Sequence, residues 1–131
     1  MNPALTALPW ATYYGGSQRD SGYGLQMDSS GEIFVTGGTM SVDLPLAGTP
    51  YQATPPGSAD GYLARFNATG TELLGGTFIG TGSYDQSYKV QLNLADEVFV
   101  LGQTNGTFPV SPGKYANTGS AQFIQKYDHT L

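Results

Sequence analysis

The chain consists of two similar halves, related by an offset of 65 residues that narrows to 61 towards the C-terminus. The match preserves the order, the spacing and the hydrophobic type of the paired residues. The pairs are Thr12 and Thr77, Asp20 and Asp85, Tyr23 and Tyr88, Ile33 and Val98, Gly37 and Gly102, Tyr51 and Tyr115, and Arg65 and Lys126. Chance similarity between Gly-rich segments would not preserve all three properties, so the repeat predicts a fold built from two equivalent units.

Each unit is predicted to contain four short strands. The ranges are 23–28, 32–38, 61–67 and 73–79 in the first unit, 88–93, 97–103 and 122–128 in the second, and 10–14 as a displaced fourth strand. Alternation of apolar residues predicts one buried face for each first strand, with Tyr23 and Tyr88 in the core. The second strands are continuous apolar runs, which predicts that they are covered on both sides. Long Pro-rich loops, 40–59 and 105–120, precede the third strands.

The predicted fold class is all-β, with two four-stranded antiparallel β-propeller blades at about 10–73 and 74–131 of a single unit, 1–131. The 19 Gly and 8 Pro residues support many short strands joined by turns. A ring needs about four to eight blades. We therefore expect either a longer chain or a head-to-tail homo-oligomer, in which residues 10–14 pair with residues 122–128 of a neighbour. Three copies would give six blades and four would give eight; the alternative is a two-sheet sandwich of one chain.

Several segments of the first unit match a known repeat. Residues 10–17 (WATYYGGS), 23–24 and 28–37 (DSSGEIFVTG), together with 60–67 (DGYLARFN) and Gly70, resemble the bacterial β-propeller repeat family of large secreted or cell-surface proteins. In the second unit Gly15-Gly16 becomes Gly80-Thr81, and residues 28–31 become Asn93-Leu94-Ala95-Asp96. The resemblance implies a propeller, a secreted or surface location and a binding or scaffold role, and it carries over no catalytic residues.

Composition excludes several classes of function. The net charge of -5 argues against nucleic-acid binding and against docking on anionic lipid. The absence of Cys removes disulfides, thiolate catalysis and cysteine-ligated zinc. No signal peptide is recognisable in residues 1–10, and the longest purely apolar run is residues 98–101, so we expect no membrane insertion from this sequence.

Few side chains are candidates for chemistry. His129, the only histidine, is expected to be solvated near the C-terminus. Asp20 and Asp85 form the one repeated acidic pair, either closing turns through their own amides or lining a ligand pocket once per blade. No segment has more than two neighbouring acids, so we expect no calcium site, no other metal and no cofactor.

Four tyrosines complete the candidate ligand-binding residues: Tyr14, Tyr84, Tyr51 and Tyr115, which either anchor loops or stack on sugars. The sequence thus predicts a non-catalytic binding or scaffold module, partnered by itself, by neighbouring blades, or by a glycan or surface protein. A carbohydrate-binding lectin with one site per blade or between blades is the alternative. An enzyme acting at the channel of the ring is the third hypothesis.

Overall fold

The computed structural model describes residues 6–131; residues 1–5 of the predicted unit lie outside the described residues. The described residues form seven β-strands and no helix, which confirms the all-β prediction. The strands are β1 (Asp20–Met27), β2 (Ile33–Thr39), β3 (Asp60–Phe66), β4 (Leu73–Ile79), β5 (Asp85–Leu92), β6 (Val98–Thr104) and β7 (Gln122–Tyr127). None of the described residues belongs to a helix with the length and apolar character that spanning a membrane requires.

The strands form two antiparallel sheets with the same internal order. Sheet 1 has the order β1-β2-β3-β4 and sheet 2 the order β5-β6-β7. Seven of the eight predicted strands are therefore present, with their ends moved by up to three residues. The prediction of a strand at 10–14 was wrong for the single chain. A strand is held by backbone hydrogen bonds to a neighbour, and this segment pairs with no strand among residues 6–131.

Both sheets carry a β-bulge at the same repeat position. The register shifts between Gly22 and Gly24 in the pairing of β1 with β2, and between Ser87 and Lys89 in the pairing of β5 with β6. The extra residue is Tyr23 in one case and Tyr88 in the other. Because a bulge re-aims its side chain, these two tyrosines are 50% and 39% exposed, and the prediction that both lie in the core was wrong.

The main apolar core lies between the two sheets. We call the two facing surfaces the inner faces, defined by Phe34 and Leu63 of sheet 1 and by Val90 and Val100 of sheet 2. The full cluster of buried residues is Phe34, Leu63, Ile79, Val90, Val98, Val100 and Phe123. Strand β5 packs against β1, β2 and β3, so the first strand of sheet 2 covers the centre of sheet 1.

The opposite surfaces, the outer faces, are only partly covered. On the outer face of sheet 1, Leu44 from the loop after β2 packs with Tyr62 and Phe78, whereas Leu25 and Met27 remain 66% and 56% exposed. The predicted burial of the apolar residues of the first strand was therefore wrong for β1. These residues share the outer face, and the loop does not reach across the whole face.

The second strands of the two units, β2 and β6, differ in burial because their outer faces are covered to different extents. Strand β2 is covered on both sides, with Phe34 on the inner face and Ile33 on the outer face both buried, which confirms the prediction for the first unit. In β6 the buried apolar side chains, Val98 and Val100, lie on the inner face, whereas Leu101 on the outer face is 39% exposed. The prediction was wrong for β6 because the described residues cover this outer face of sheet 2 only in part: Lys126 lies over the Phe99 ring, but Leu101 stays exposed.

Gly37 and Gly102 are required by the bulges, and this generates a stability prediction. A Cβ on Gly37 would lie 1.8 Å from the carbonyl oxygen of Ser21, and one on Gly102 would lie 2.4 Å from that of Gln86. Backbone cannot move aside cheaply, so Gly37→Ala and Gly102→Ala should each lower the free energy of unfolding by about 1 to 3 kcal/mol in urea denaturation.

Gly82→Ala is the matched control, because a Cβ there meets nothing within 4 Å. We expect its unfolding midpoint to stay close to that of the wild type. Unchanged midpoints for Gly37→Ala and Gly102→Ala would contradict the close approach of the backbone at both bulges.

Candidate functional site

Asp20 and Asp85, the repeated acids predicted from the sequence, are the first residues of β1 and β5. The carboxylate of Asp20 accepts hydrogen bonds from the Gly16 amide at 2.8 Å, from Thr39 Oγ1 at 2.5 Å and from Ser41 Oγ at 3.1 Å. Asp85 accepts hydrogen bonds from the amide and the hydroxyl of Thr81, at 2.6 and 2.9 Å. Each carboxylate therefore closes the loop that leads into its strand.

Tyr14 lies against the outer face of sheet 1 rather than in an open pocket. Its ring centroid is 5.5 Å from that of Tyr62 and 5.3 Å from that of Phe66, and its hydroxyl donates to the carbonyl oxygen of Pro45 at 2.8 Å. Burial raises the pKa of Tyr14 above its ordinary value. The side chain anchors the N-terminal segment to sheet 1.

The other three candidate tyrosines are exposed and separate. Tyr84 is 45%, Tyr51 67% and Tyr115 92% exposed. Tyr51 makes an edge-on contact with Tyr127, with 6.2 Å between the ring centroids. Among the aromatic contacts of residues 6–131, none joins two of the four candidate tyrosines.

Unlike the four candidate tyrosines, Tyr23 and Tyr88, which the sequence predicts in the core, are in contact with each other. Tyr23 and Tyr88 lie 5.5 Å apart between ring centroids, on neighbouring sheets and at the same repeat position. Burial, followed by the proximity of Tyr84 and Tyr23, raises the pKa of Tyr88. Two half-exposed phenol rings side by side form a surface on which a flat apolar face of a ligand could stack.

A second feature missed from the sequence is a network of charged groups that joins the C-terminus to sheet 1. His129 Nε2 lies 2.7 Å from Asp28 Oδ2, and Arg65 donates from Nη1 to the carbonyl oxygen of His129 at 2.9 Å. Arg65 Nη1 also lies 3.4 Å from Glu32 Oε2. The expectation of a solvated His129 was therefore wrong, since its side chain is only 35% exposed and is held on both sides.

This network contains the three side chains that could hold a metal ion together, Asp28, Glu32 and His129, whose ligand atoms all lie within 4.8 Å of one another. The Arg65 guanidinium already neutralises charge in the group. Asp28 Oδ1 accepts hydrogen bonds from the amides of Ser30 and Glu32 at 2.9 and 2.8 Å. These contacts account for the arrangement as a structural clamp between the two sheets.

No protein-family model matches the chain, and a comparison with curated proteins gives no match.

The Asp28 clamp generates a pH prediction. Burial tends to raise the pKa of Asp28, but hydrogen bonds from His129, Ser30 and Glu32 outweigh it and hold this pKa below its ordinary value. A carboxyl with a lowered pKa in the folded state stabilises the fold above its unfolded pKa, and this contribution is lost as the pH falls through the folded pKa. Asp28→Asn should therefore lower the free energy of unfolding near pH 6. In acid, where Asp28 of the wild type is protonated, the same substitution should no longer lower it.

The measurement compares urea unfolding of the wild type and Asp28→Asn between pH 3 and 7. The difference in unfolding free energy should shrink once the pH drops below the ordinary carboxyl pKa, about 3.9. Glu72→Gln, at an exposed carboxyl, is the control and should follow the wild type at every pH. A difference that stays constant over the whole range would rule out a charged Asp28 as the stabilising group.

Proposed function

We propose that this chain is a two-bladed β-propeller unit that acts as a non-catalytic binding or scaffold module and assembles head to tail with further copies of itself. One observation carries the proposal. The apolar residues that are buried between the two sheets have repeat counterparts on the outer faces, and the counterparts of Leu63 and Val90, which are Ile124 and Leu25, are exposed. The chain therefore carries the apolar pattern of the contact between its sheets a second time, on faces that are only partly covered.

The first half of this second interface lies on sheet 2. Phe34 and Leu63 fill the inner face of sheet 1 and are fully buried. Their counterparts in the second unit are Phe99 and Ile124. Both lie on the outer face of sheet 2, where Ile124 is paired with Leu101. Ile124 is 74% exposed. The outer face of sheet 2 thus repeats the surface that the inner face of sheet 1 uses to pack on a neighbouring sheet.

The second half lies on sheet 1. Val90 and Leu92 pack into the layer between the sheets from sheet 2. Their counterparts in the first unit are Leu25 and Met27, on the outer face of sheet 1, where Leu25 pairs with Val35. A sheet 2 outer face on one copy therefore fits a sheet 1 outer face on the next by the same packing that joins the sheets within one chain. A contact of this head-to-tail type can close into a ring.

The edges of the sheets support the same arrangement. Sheet 1 has a fourth strand, β4, paired with β3, whereas sheet 2 ends at β7. Residues 10–14 are the repeat counterpart of residues 75–79 in β4 and pair with no strand among the described residues, and Tyr13 within them is fully exposed. An open strand edge and an unpaired strand sequence on the same chain are complementary. Residues 10–14 of one copy would complete the sheet of the next by pairing with β7.

Whole chains of two blades give an even number of blades, six from three copies or eight from four. The same two faces and edges would also serve a segment within a longer chain, with neighbouring blades in place of other copies. A two-sheet sandwich that acts alone is the competing architecture, and it gives no reason for the apolar residues on both outer faces.

The resemblance of residues 10–37 and 60–70 to the bacterial propeller repeats supports a secreted or cell-surface location. A non-catalytic role is supported by the use of the candidate polar groups, since Asp20, Asp85 and His129 all hold loops or the C-terminus in position. The binding surface for a glycan or a surface protein would then be the loops at one face of the ring or the clefts between blades.

Oligomeric mass measured by light scattering tests the assembly. The wild type should have three or four times the single-chain mass of 13.8 kDa. Ile124→Lys introduces a charge into the proposed interface at a residue that is exposed in the single chain, so it should yield folded monomers. Leu94→Lys is the matched control, because Leu94 lies fully exposed in a turn, and it should leave the mass unchanged. A wild type that is monomeric at high concentration would exclude the homo-oligomer.

The alternative function, a lectin, is favoured by the Tyr23 and Tyr88 pair, because each unit supplies one ring at the same position. On a glycan array, the wild type should bind a sugar whose apolar face stacks on these rings. Tyr23→Ala and Tyr88→Ala should each weaken that binding at least about tenfold, as expected for loss of a stacking platform. Tyr115→Ala should bind like the wild type. The absence of binding by the wild type at high concentration would exclude the lectin, and a loss confined to Tyr115→Ala would move the site to the loop 105–120.

A further inference from the structure

Two loops of the described chain run side by side where the third strand of the first unit and the first strand of the second unit begin. Ala59 and Tyr84 form a parallel bridge, and the Asp85 amide donates to the carbonyl oxygen of Ala59 at 2.9 Å. This pairing brings together the side chains of Asp60 and Asp85, which are only 1% and 0% exposed. Two carboxyl groups that are 25 residues apart in sequence are thus buried at one junction between the sheets.

Each of these carboxyl groups retains an oxygen without a partner. Asp60 Oδ2 accepts a hydrogen bond from the Gly57 amide at 3.1 Å, and Asp85 Oδ2 accepts from Thr81. Asp60 Oδ1 and Asp85 Oδ1 are both buried and have no hydrogen-bond partner within residues 6–131. A buried carboxylate oxygen without a donor is costly, so this pair needs a positive charge or a proton.

The chain approaches these oxygens closely at two glycines. A Cβ on Gly80 would lie 2.2 Å from Asp60 Oδ1 and 3.1 Å from Asp85 Oδ2. A Cβ on Gly57 would lie 2.4 Å from the carbonyl oxygen of Ser83 and 2.9 Å from that of Thr81. Asp60 Oδ1 lies 3.2 Å from the same point. Carboxylate and carbonyl oxygens of both loops therefore lie close together beside these two glycines, and neither position leaves room for a Cβ.

We propose that the loops 57–60 and 80–85 bind one hard divalent cation, Ca²⁺, through the carboxylates of Asp60 and Asp85 and the carbonyl oxygens of Thr81 and Ser83. Ca²⁺ accepts roughly six to eight oxygen ligands in flexible geometry, including backbone carbonyls and water. A site made only of oxygen has no sulfur or imidazole that would favour zinc or copper.

The electrostatics agree with this assignment. Burial raises the pKa of Asp60 to about 6, and the nearby charge of Asp85 contributes in the same direction. A divalent cation between the two groups would remove both costs, since it replaces the lost hydration and neutralises the pair.

The repeat predicts one cation per chain rather than two. The counterpart of Asp60 in the second unit, at the local offset of 61, is Ala121, which has no ligand atom in its side chain. Asp20, the counterpart of Asp85, has both carboxylate oxygens occupied by hydrogen bonds from Thr39, Ser41 and Gly16. A junction between Asp20 and Ala121 would therefore have one carboxylate instead of two. We expect one bound cation per chain whether or not the chain assembles with other copies.

The test uses the full chain freed of metal with EDTA and titrated with CaCl₂ by calorimetry, with TbCl₃ luminescence excited through the tyrosines as a second readout. We expect one ion bound per chain and a thermal midpoint that rises as CaCl₂ is added. Asp60→Asn and Asp85→Asn should each weaken binding at least about tenfold. Asp43→Asn removes an exposed carboxylate of the same chain and should bind like the wild type.

The melting temperature of Asp60→Asn distinguishes a loss of cation binding from a failure to fold. The amide keeps the shape of the side chain and removes one buried charge, so in EDTA this variant should melt at a higher temperature than the wild type at pH 7. A wild type whose melting does not respond to 1 mM CaCl₂, with Asp60→Asn still more stable, would mean that a proton satisfies the pair and would overturn the cation site. Binding that persists in both Asp60→Asn and Asp85→Asn would equally overturn it.

Discussion

The close packing of β5 on the inner face of sheet 1 is the contact on which the other features of this molecule depend. The approach is close because sheet 1 has glycines where β5 crosses it. A Cβ on Gly38 would lie 1.9 Å from Gln86 Oε1, and one on Gly61 would lie 2.1 Å from Ser87 Oγ. With β5 at this depth, the start of the strand brings Asp85 beside Asp60, and its bulge brings Tyr88 beside Tyr23. A side chain at Gly38 or Gly61 would force Gln86 or Ser87 to move and would disturb the packing of β5 on sheet 1.

The repeat makes this packing informative beyond a single chain. Corresponding residues of the two units occupy different environments, since Leu63 is buried between the sheets whereas its counterpart Ile124 is exposed. In a sheet whose two faces both have apolar residues, burial is decided by the neighbour and not by the residue itself. The exposed apolar residues on the outer faces are therefore explained by the same pattern that fills the core, which is the physical basis for proposing further copies or further blades as partners.

The strands could be predicted from the sequence because local alternation, apolar runs and turn residues repeat at a fixed offset. Burial could not, since it depends on which faces meet; alternation alone predicts Tyr23, Leu25 and Met27 in the core, although all three are exposed. The long-range pairs Asp60 with Asp85 and Asp28 with His129 leave no signal between neighbours in sequence. These pairs depend on how the two sheets pack, because β3 and β5 belong to different sheets, as do β1 and β7. Asp60 and Asp85 begin β3 and β5, whereas Asp28 and His129 follow the ends of β1 and β7, and packing of the sheets brings each pair together.

The two proposals concern different junctions between sheets and have different consequences. Within one chain, the junction contains Asp60 and Asp85, so a bound cation would stabilise the folded chain and hold its two sheets together. Between copies, the equivalent junction would bring Asp20 of one copy to Ala121 of the other, where the paired carboxylates are absent. That junction would rely on the outer apolar faces and on pairing of residues 10–14 with β7. Removal of the cation should therefore loosen the two sheets of each chain first, whereas a charge introduced on an outer face should separate copies that are still folded.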